Sequence, residues 1–281
     1  MNTAHQMYVN QSMNIIHQKL HNIDNIPVIF SYNHIAASEP NLFANIHWHS
    51  GLEIMLFKEG TIENIIDDKI VRENVNDIIV INAKTLHSTR SVSKIAKYYG
   101  LIIDKELCIK YGFALSDYYI KSEINDTRIT TLIEDIKREF ENKSEHFEAM
   151  VTAKTLEMLT ILFRDYSFKK NKAFNNKNTE MVKQGIKYIR DNFANRITVE
   201  DVAKSVGYSK YYFCRIFKEI TKSTIGSYIN ICRVNEAHRL ISEEGVSVGR
   251  AACECGFDDI SYFTKIFKKY IGVLPSKIRN N

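Results

Sequence analysis

Short apolar runs rich in β-branched residues fill the chain between Phe43 and Gly100. They include LEIMLF at 52–57, TIENII at 61–66 and DIIVIN at 77–82, with turn-like or charged segments between them. Several short strands at a spacing of about 8 to 12 residues are typical of a small antiparallel barrel or sandwich. The pattern therefore predicts a β-rich N-terminal half.

The apolar period lengthens to three and four residues between Asp126 and Asp165, which predicts helices at 127–142 and 147–166. Two roles stay open for these helices, because they could form a dimer contact or could simply cover one face of the barrel. A polar segment with little periodicity follows them and predicts an interdomain linker. The resulting division is a domain at 1–167, a linker at 168–179 and a domain at 180–281.

A helix-turn-helix pattern occurs twice in the C-terminal half. The first copy begins at the N-cap Thr198, turns at Gly207 and continues after a second N-cap, Ser209, into KYYFCRIFKEI. Apolar, glycine and basic positions recur 49 or 50 residues later, at Val199/Val248, Val202/Ala251, Ala203/Ala252, Val206/Cys255, Gly207/Gly256, Tyr208/Phe257, Phe213/Phe263, Arg215/Lys265, Ile216/Ile266, Phe217/Phe267 and Lys218/Lys268. Basic side chains left on the exposed face favour DNA recognition over a helical repeat core or a protein-docking module.

An amphipathic helix is predicted between the two copies. Its apolar positions are Ile225, Tyr228, Ile229, Cys232, Ala237, Leu240 and Ile241. A helix of about 18 residues spans roughly 27 Å. It could hold two recognition helices close to one DNA turn apart, which is about 34 Å.

The positive charge of the chain is concentrated in its last hundred residues. Of the 281 residues, 44% are apolar and 25% are charged, which excludes disordered and low-complexity classes and suggests about two domains. Residues 180–281 hold 17 Lys and Arg against 11 Asp and Glu, a net of +6, whereas residues 1–179 have a net of −1. This asymmetry indicates a polyanionic partner, with nucleic acid as the first candidate.

Cysteine usage and hydropathy indicate the cell compartment. The five cysteines form no C-x-x-C pair, which disfavours a disulfide framework and a zinc knuckle. No apolar stretch approaches the roughly 18 residues of a membrane span, and the first twenty residues lack a secretory pattern. We therefore expect a cytoplasmic protein with no membrane partner.

Residues 183–279 resemble the DNA-binding domain of the AraC/XylS transcription regulators. The resemblance is carried by ITVEDVAKSVGYSKYYFCRIFKEIT and, more specifically, by SVGRAACECGFDDISYFTKIFKKYIGVLPSKIR. It implies two helix-turn-helix units, joined by a linker helix, that bind successive major grooves. The sequence departs from the family at Lys222, where a glycine is frequent, and at Leu274 and Ile278.

The resemblance also implies which side chains face DNA. The buried face of each recognition helix is taken by phenylalanines four residues apart, so the positions between them point outward. Arg215 suits bidentate contact with guanine, Ile260 suits a thymine methyl, and Lys218 and Lys268 suit phosphates. The complete set is Lys210, Tyr211, Cys214, Arg215, Lys218, Ile260, Ser261, Thr264, Lys265 and Lys268.

A histidine and glutamate pattern stands out in the N-terminal half. His47, His49, Glu53, Gly60 and a distant His87 have the spacing of a cupin metal motif, whose ligands suit Fe, Mn, Ni or Zn. The half also resembles the cupin-like sensor domain of AraC-type regulators, which usually keeps the pattern without a metal. The glycine and proline of the second motif are missing near Asn76 and Ala83. We therefore expect no metal and no cofactor, and we interpret His47, Trp48, His49, Glu53 and His87 as effector-binding residues, with structural histidines as the alternative.

These observations predict a two-domain α+β protein. Its N-terminal domain is a cupin-like β-barrel with a helical dimerisation element, and its C-terminal domain is all-α with two helix-turn-helix motifs joined by a linker helix. The expected function is sequence-specific transcriptional regulation without catalytic residues. The expected partners are double-stranded promoter DNA, a small-molecule effector, a second copy of the chain and RNA polymerase. The alternative is a metal-dependent cupin enzyme tethered to a helical DNA- or protein-binding module.

Overall fold

The computed structural model describes residues 26–36, 46–67, 69–170 and 177–278. The described residues form two compact units, one up to residue 170 and the other from residue 177 onward. Both ends of the segment predicted as a linker have regular structure, because Ser167–Lys169 is a strand and Lys177–Asn192 is a helix. Residues 171–176 of that linker lie outside the described residues. In the described ranges, no helix is both long enough and apolar enough to cross a membrane.

The N-terminal unit is built on antiparallel sheets. Its strands are β1 (Val28–Ala36), β2 (Leu52–Glu59), β3 (Ile62–Ile66), β4 (Lys69–Glu73), β5 (Ile78–Ile81), β6 (His87–Ser91), β7 (Ile95–Ile103), β8 (Tyr118–Ile120), β9 (Glu123–Ile124) and β10 (Ser167–Lys169). One sheet has the order β1-β7-β2-β5-β9, a second has the order β4-β3-β6, and β8 pairs with β10. The three apolar runs at 52–57, 61–66 and 77–82 form β2, β3 and β5, as predicted.

The two larger sheets form layers rather than a closed barrel. Within the described residues, no strand pairing joins them into one continuous hydrogen-bonded cylinder. Every residue of β2 from Leu52 to Phe57 is buried, because both faces of its sheet are covered. Ile54 and Leu56 pack in the core that includes the helices of this unit, whereas Met55 and Phe57 pack with residues of β3. The prediction of a cupin-like barrel is therefore confirmed only in that this unit is rich in β-strands.

The helices of the N-terminal unit are α1 (Lys105–Lys110), α2 (Thr127–Asn142) and α3 (Phe147–Asp165). The bounds of α2 and α3 agree with the prediction to within one residue. Asp126 caps α2 by accepting a hydrogen bond from the backbone N–H of Arg128. Ile133 and Leu159 pack in the same core as the sheet residues Ile54 and Leu101, so these helices cover one sheet face.

The second unit is helical. Its helices are α4 (Lys177–Asn192), α5 (Val199–Ser205), α6 (Lys210–Thr221), α7 (Ile225–Ser242), α8 (Val248–Glu254) and α9 (Ile260–Ile271), followed by a 3-10 turn at Pro275–Lys277. The repeat in the sequence is a repeat in structure, since α5 and α8 have 7 residues each and α6 and α9 have 12 each. Gly207 and Gly256 adopt left-handed backbone angles, with φ of 76° and 80°, at the equivalent turns.

Apolar side chains on the predicted faces hold the second unit together. Phe213, Phe217, Phe263 and Phe267 are completely buried. The second pair packs in one core with residues of α7 and α8. All seven apolar positions predicted for α7 are buried, but Ile231, Val234 and Asn235 are buried as well. The helix is therefore enclosed on more than one side, which its simple amphipathic pattern did not indicate.

Candidate functional site

The first recognition helix, α6, presents most of its predicted DNA-facing side chains to solvent. Lys210, Arg215 and Lys218 are exposed, and 86% of the Tyr211 surface is accessible. Cys214 is half-buried. Ser209 caps the start of α6. The apolar face through Phe213 and Phe217 fixes which side of the helix packs inward, and this sets the orientation of the exposed side chains.

The second recognition helix, α9, presents the equivalent surface. Ser261, Lys265 and Lys268 are exposed, and half of the Ile260 surface is accessible. Thr264 is half-buried, and its hydroxyl donates a hydrogen bond to the Ile260 carbonyl at 2.8 Å. The Thr264 oxygen can therefore only accept a hydrogen bond from a base while that contact is kept.

Several basic groups on these two faces carry no neutralising partner. Among the described residues, no acidic group lies within ion-pair distance of Arg215, Lys218, Lys265 or Lys268. The Arg215 guanidinium lies over the Tyr212 ring, 5.5 Å from its centroid. Lys210 differs because it is paired with Glu200 at the start of α5. Four uncompensated charges on two equivalent faces suit a phosphate-rich partner.

Two polar side chains of α7, which the sequence pattern did not indicate, make contacts that position the second helix-turn-helix unit. The Arg233 guanidinium donates to the carbonyls of Phe193, at 2.7 Å, and Asn195, at 2.9 Å, and it lies over the Phe257 ring. Asn230 donates to the Tyr262 hydroxyl at 2.9 Å, which joins α7 to α9. The three hydrogen bonds link residues 32 to 40 positions apart, so no local pattern in the sequence signals them.

The structure brings together four of the five predicted effector-binding residues of the N-terminal unit. His47, His49, Glu53 and His87 are all buried, and one donor atom from each lies within 4.8 Å of the others. Glu53 lies on β2 and His87 on β6, so the cluster joins the two larger sheets. His47 reaches His87 through a pair of backbone hydrogen bonds of 2.8 and 2.9 Å. Trp48 is half-buried and supplies none of the four donor atoms.

Hydrogen bonds to the main chain orient two of the histidines. The Nδ1 atom of His49 lies 3.1 Å from the Gly51 carbonyl, and that of His87 lies 2.9 Å from the Thr85 carbonyl. Since a carbonyl only accepts, both Nδ1 atoms carry hydrogen. Their Nε2 atoms lie close to the same oxygen of Glu53, at 3.0 Å for His49 and 3.1 Å for His87.

The surroundings of Glu53 set its charge. Burial by itself raises the pKa of this carboxyl, but the hydrogen bonds and charges of His49 and His87 outweigh burial and hold the pKa well below its usual range. Burial and the negative charge of Glu53 raise the pKa of the Tyr98 hydroxyl. The site therefore combines a carboxylate, three imidazoles and a neutral phenol.

Comparisons with known proteins agree on the C-terminal unit. A helix-turn-helix domain family matches residues 202–281. The Probable transcription factor PqrA of Proteus vulgaris is 36% identical over 85 residues, covering 30% of this chain and 70% of that protein. The HTH-type transcriptional activator AarP of Providencia stuartii is 31% identical over 101 residues, covering 36% of this chain and 75% of that protein.

Some matches extend over both units. The melibiose operon regulatory protein of Escherichia coli K12 is 23% identical over 261 residues, which cover 85% of each chain. The crystal structure of ToxT from Vibrio cholerae O395 superposes with a TM-score of 0.51 at 13% identity, covering 89% of this chain and 96% of ToxT. That likeness shows a shared fold, with a β-rich N-terminal unit and a helical C-terminal unit. The repeated helix-turn-helix geometry and these relatives together place the chain in the AraC/XylS family of transcription regulators.

Proposed function

We propose that this regulator reads a promoter operator with both recognition helices and adjusts its DNA affinity to an effector held in the N-terminal unit. The observation that carries the proposal is the pair of equivalent exposed faces on α6 and α9, each with uncompensated basic side chains. The DNA-binding unit comprises residues 180–281 and the sensing unit residues 1–167, with the linker at 168–179 between them.

Each DNA-facing side chain has a role that follows from its chemistry. Arg215 contacts a guanine edge through its two parallel N–H groups, and Ile260 contacts a thymine methyl. Lys218 and Lys268 contact phosphates and so position the protein without reading sequence. The remaining contacts to bases or backbone come from Lys210, Tyr211, Cys214, Ser261, Thr264 and Lys265.

The sensing role is assigned to the buried cluster in the N-terminal unit. An effector held by His47, His49, Glu53 and His87, near Trp48, would change the operator affinity only if it bound the two affinity states unequally. A second copy of the chain would allow a twofold-symmetric complex on a repeated operator, with α2 and α3 as the dimer element. RNA polymerase is the further partner through which such a complex would act.

Operator mapping with matched variants tests this proposal. Genome-wide footprinting supplies the bound sites, and gel-shift titration on one mapped site compares wild type with Arg215→Ala/Lys265→Ala. We expect the double variant to bind at least about tenfold more weakly, because each recognition helix loses one basic DNA contact. Lys187→Ala is the control, since this exposed lysine of α4 pairs with Asp191 and is not among the DNA-facing residues.

The two recognition helices make separable contributions in this experiment. Arg215→Ala and Lys265→Ala, measured singly, should each weaken operator binding while Lys187→Ala does not. Unchanged affinity in the double variant, with the protein still folded by circular dichroism, would show that these faces do not read the operator.

A further inference from the structure

We propose that His47, His49, Glu53 and His87 form a mononuclear site for a divalent first-row transition-metal ion, with Mn²⁺, Fe²⁺, Ni²⁺ and Zn²⁺ as the fitting ions. The inference rests on the proposed function only in treating this cluster as the sensing site, and it names the class of ligand that the site takes. The sequence predicts a metal-free pocket, whereas the side-chain geometry favours a bound ion.

The orientation of the imidazole rings favours a bound cation. The Nδ1–H groups of His49 and His87 are committed to the carbonyls of Gly51 and Thr85. In the neutral ring the Nε2 atom then carries a lone pair, and both Nε2 atoms lie within 3.1 Å of the same oxygen of Glu53. Hydrogen-bond acceptors lie this close together only when a proton or a cation stands between them. A main-chain carbonyl behind each ring is also the usual support of a metal-bound histidine.

The spacing of the donor atoms fits the ligand spacing around one metal ion. Nitrogen and oxygen ligands lie about 2.0 to 2.2 Å from ions of this class, so two ligands at right angles are separated by roughly 3.0 Å. The Nε2 atoms of His49 and His87 lie 3.0 and 3.1 Å from the Glu53 oxygen. All four donor atoms lie within 4.8 Å of one another, close to the roughly 4.0 to 4.4 Å that separates opposite ligands of one such ion.

The donor residues of the cluster are almost completely buried. His87 is 3% exposed, His49 is 4% exposed and Glu53 is 5% exposed. An organic effector of ordinary size needs a cavity of about 300 Å³ or more, whereas a single ion needs only the space between its ligand atoms. A divalent cation would also neutralise the buried Glu53 carboxylate.

The turn glycine that is missing from the second motif has a structural substitute. The expected turn glycine is missing near Asn76, but Asn76 itself adopts the left-handed backbone, with φ of 73°. Asparagine tolerates this conformation better than most residues. The departure from the motif thus leaves the turn intact and leaves all four donor residues in place.

The donor set selects the class of ion. Three imidazoles with one carboxylate suit Mn, Fe, Ni and Zn, whereas Mg²⁺ and Ca²⁺ prefer oxygen ligands. Because Glu53 lies on β2 and His87 on β6, one ion would cross-link the two larger sheets. Metal binding should therefore stabilise the N-terminal unit as well as fill the site.

Metal reloading of the full-length, tag-free chain tests the proposal. The protein is stripped with chelator and titrated anaerobically with Mn²⁺, Fe²⁺, Ni²⁺ and Zn²⁺ separately, and bound metal is counted by elemental analysis after desalting. We expect about one ion per chain for at least one metal, together with an increase in Tm. His87→Gln and Glu53→Gln should each raise the Kd by at least about 100-fold. His146→Gln is the matched control, because His146 is an exposed histidine of the same unit.

X-ray absorption on the loaded wild type provides a readout that does not depend on folding of the variants. Imidazole scattering from more than one ring, with oxygen in the first shell, supports the assignment. Absence of metal uptake by folded wild-type protein would overturn it, as would uptake that His87→Gln and Glu53→Gln leave unchanged. Operator binding is measured on the same samples, so intact DNA binding without metal uptake rejects the metal site alone and leaves the proposed function standing.

Discussion

Arg215 and Lys218 lie three residues apart on α6, and their chemistry separates base reading from phosphate binding. We predict that Arg215→Ala costs about 1 to 3 kcal/mol on the mapped operator and relaxes the preference at one base pair, because a bidentate contact is lost. Lys218→Ala should instead weaken binding nearly equally on all sequences and reduce the salt slope of log K by about 1. Titrations on operator variants at several salt concentrations separate the two effects. Identical losses across all base substitutions in Arg215→Ala would contradict its base contact.

Gly185 on α4 packs directly against the aromatic ring of Phe213. A methyl group added there would fall 2.4 Å from the Cζ atom of Phe213, which is fully buried. We predict that Gly185→Ala destabilises the protein by up to about 2 kcal/mol, because the overpacking cost of about 1 to 3 kcal/mol exceeds the gain of about 1 kcal/mol in helix propensity.

Urea unfolding followed by circular dichroism measures this effect. Gly226→Ala is the control on α7, where an added methyl would meet no described atom within 4 Å. It should leave stability unchanged or raise it by up to about 1 kcal/mol. Equal stability of Gly185→Ala and wild type would mean that α4 and α6 do not approach as closely as described.

At the scale of elements, the two recognition helices end differently although they are repeats. Gly272 ends α9 with φ of 87°, and Lys222, the equivalent residue 50 positions earlier, ends α6 with φ of 54°. A side chain in this left-handed conformation costs about 1 to 2 kcal/mol. We predict that Lys222→Gly stabilises the protein by up to about 1 kcal/mol and that Gly272→Ala destabilises it by a similar amount, both measured by urea unfolding. Lys222→Ala keeps the strained Cβ and should show no gain; a gain as large as that of glycine would refute the backbone explanation.

Strand β4 carries a carboxyl group whose burial makes stability depend on pH. Burial, together with the charges of Asp77 and Glu123, raises the pKa of Glu73 to about 7. Because the folded state holds this proton more tightly than the unfolded state, the contribution to stability is full below the ordinary pKa near 4.5 and is lost as pH rises through 7. We predict that Glu73→Gln raises Tm at pH 8 more than at pH 5. Glu145→Gln, at an exposed carboxyl, should change Tm at neither pH, and an equal effect of Glu73→Gln at both pH values would reject the linkage.

At the scale of the whole molecule, the sensing unit should control the operator affinity of the DNA-binding unit. A coupling free energy of about 1 to 3 kcal/mol corresponds to a change in affinity of roughly 5 to 150-fold. We predict that loading the N-terminal site changes the operator affinity of the full chain within this range and leaves a fragment of residues 177–281 unaffected. Gel-shift titration with and without the metal ion that the wild type retains, and over a panel of sugars, amino acids and fatty acids, measures the response. The same affinity under every condition in both proteins would make the N-terminal unit a constitutive scaffold.

The sequence by itself determined the helices and the repeat, because caps and apolar periods act over one or two turns. Thr198 and Ser209 cap the helices that their positions predict, and the phenylalanine pairs of α6 and α9 are buried as their spacing requires. Only the tertiary structure decided that the strands form two layered sheets, since pairing between distant strands depends on packing on both faces of β2. It also decided that Arg233 reaches Phe193 and that four donors from residues 47 to 87 converge on one point. Spacing in the sequence grouped His47, His49, Glu53 and His87, but the ring orientation of His49 and His87 depends on main-chain carbonyls whose positions follow from the folded loops.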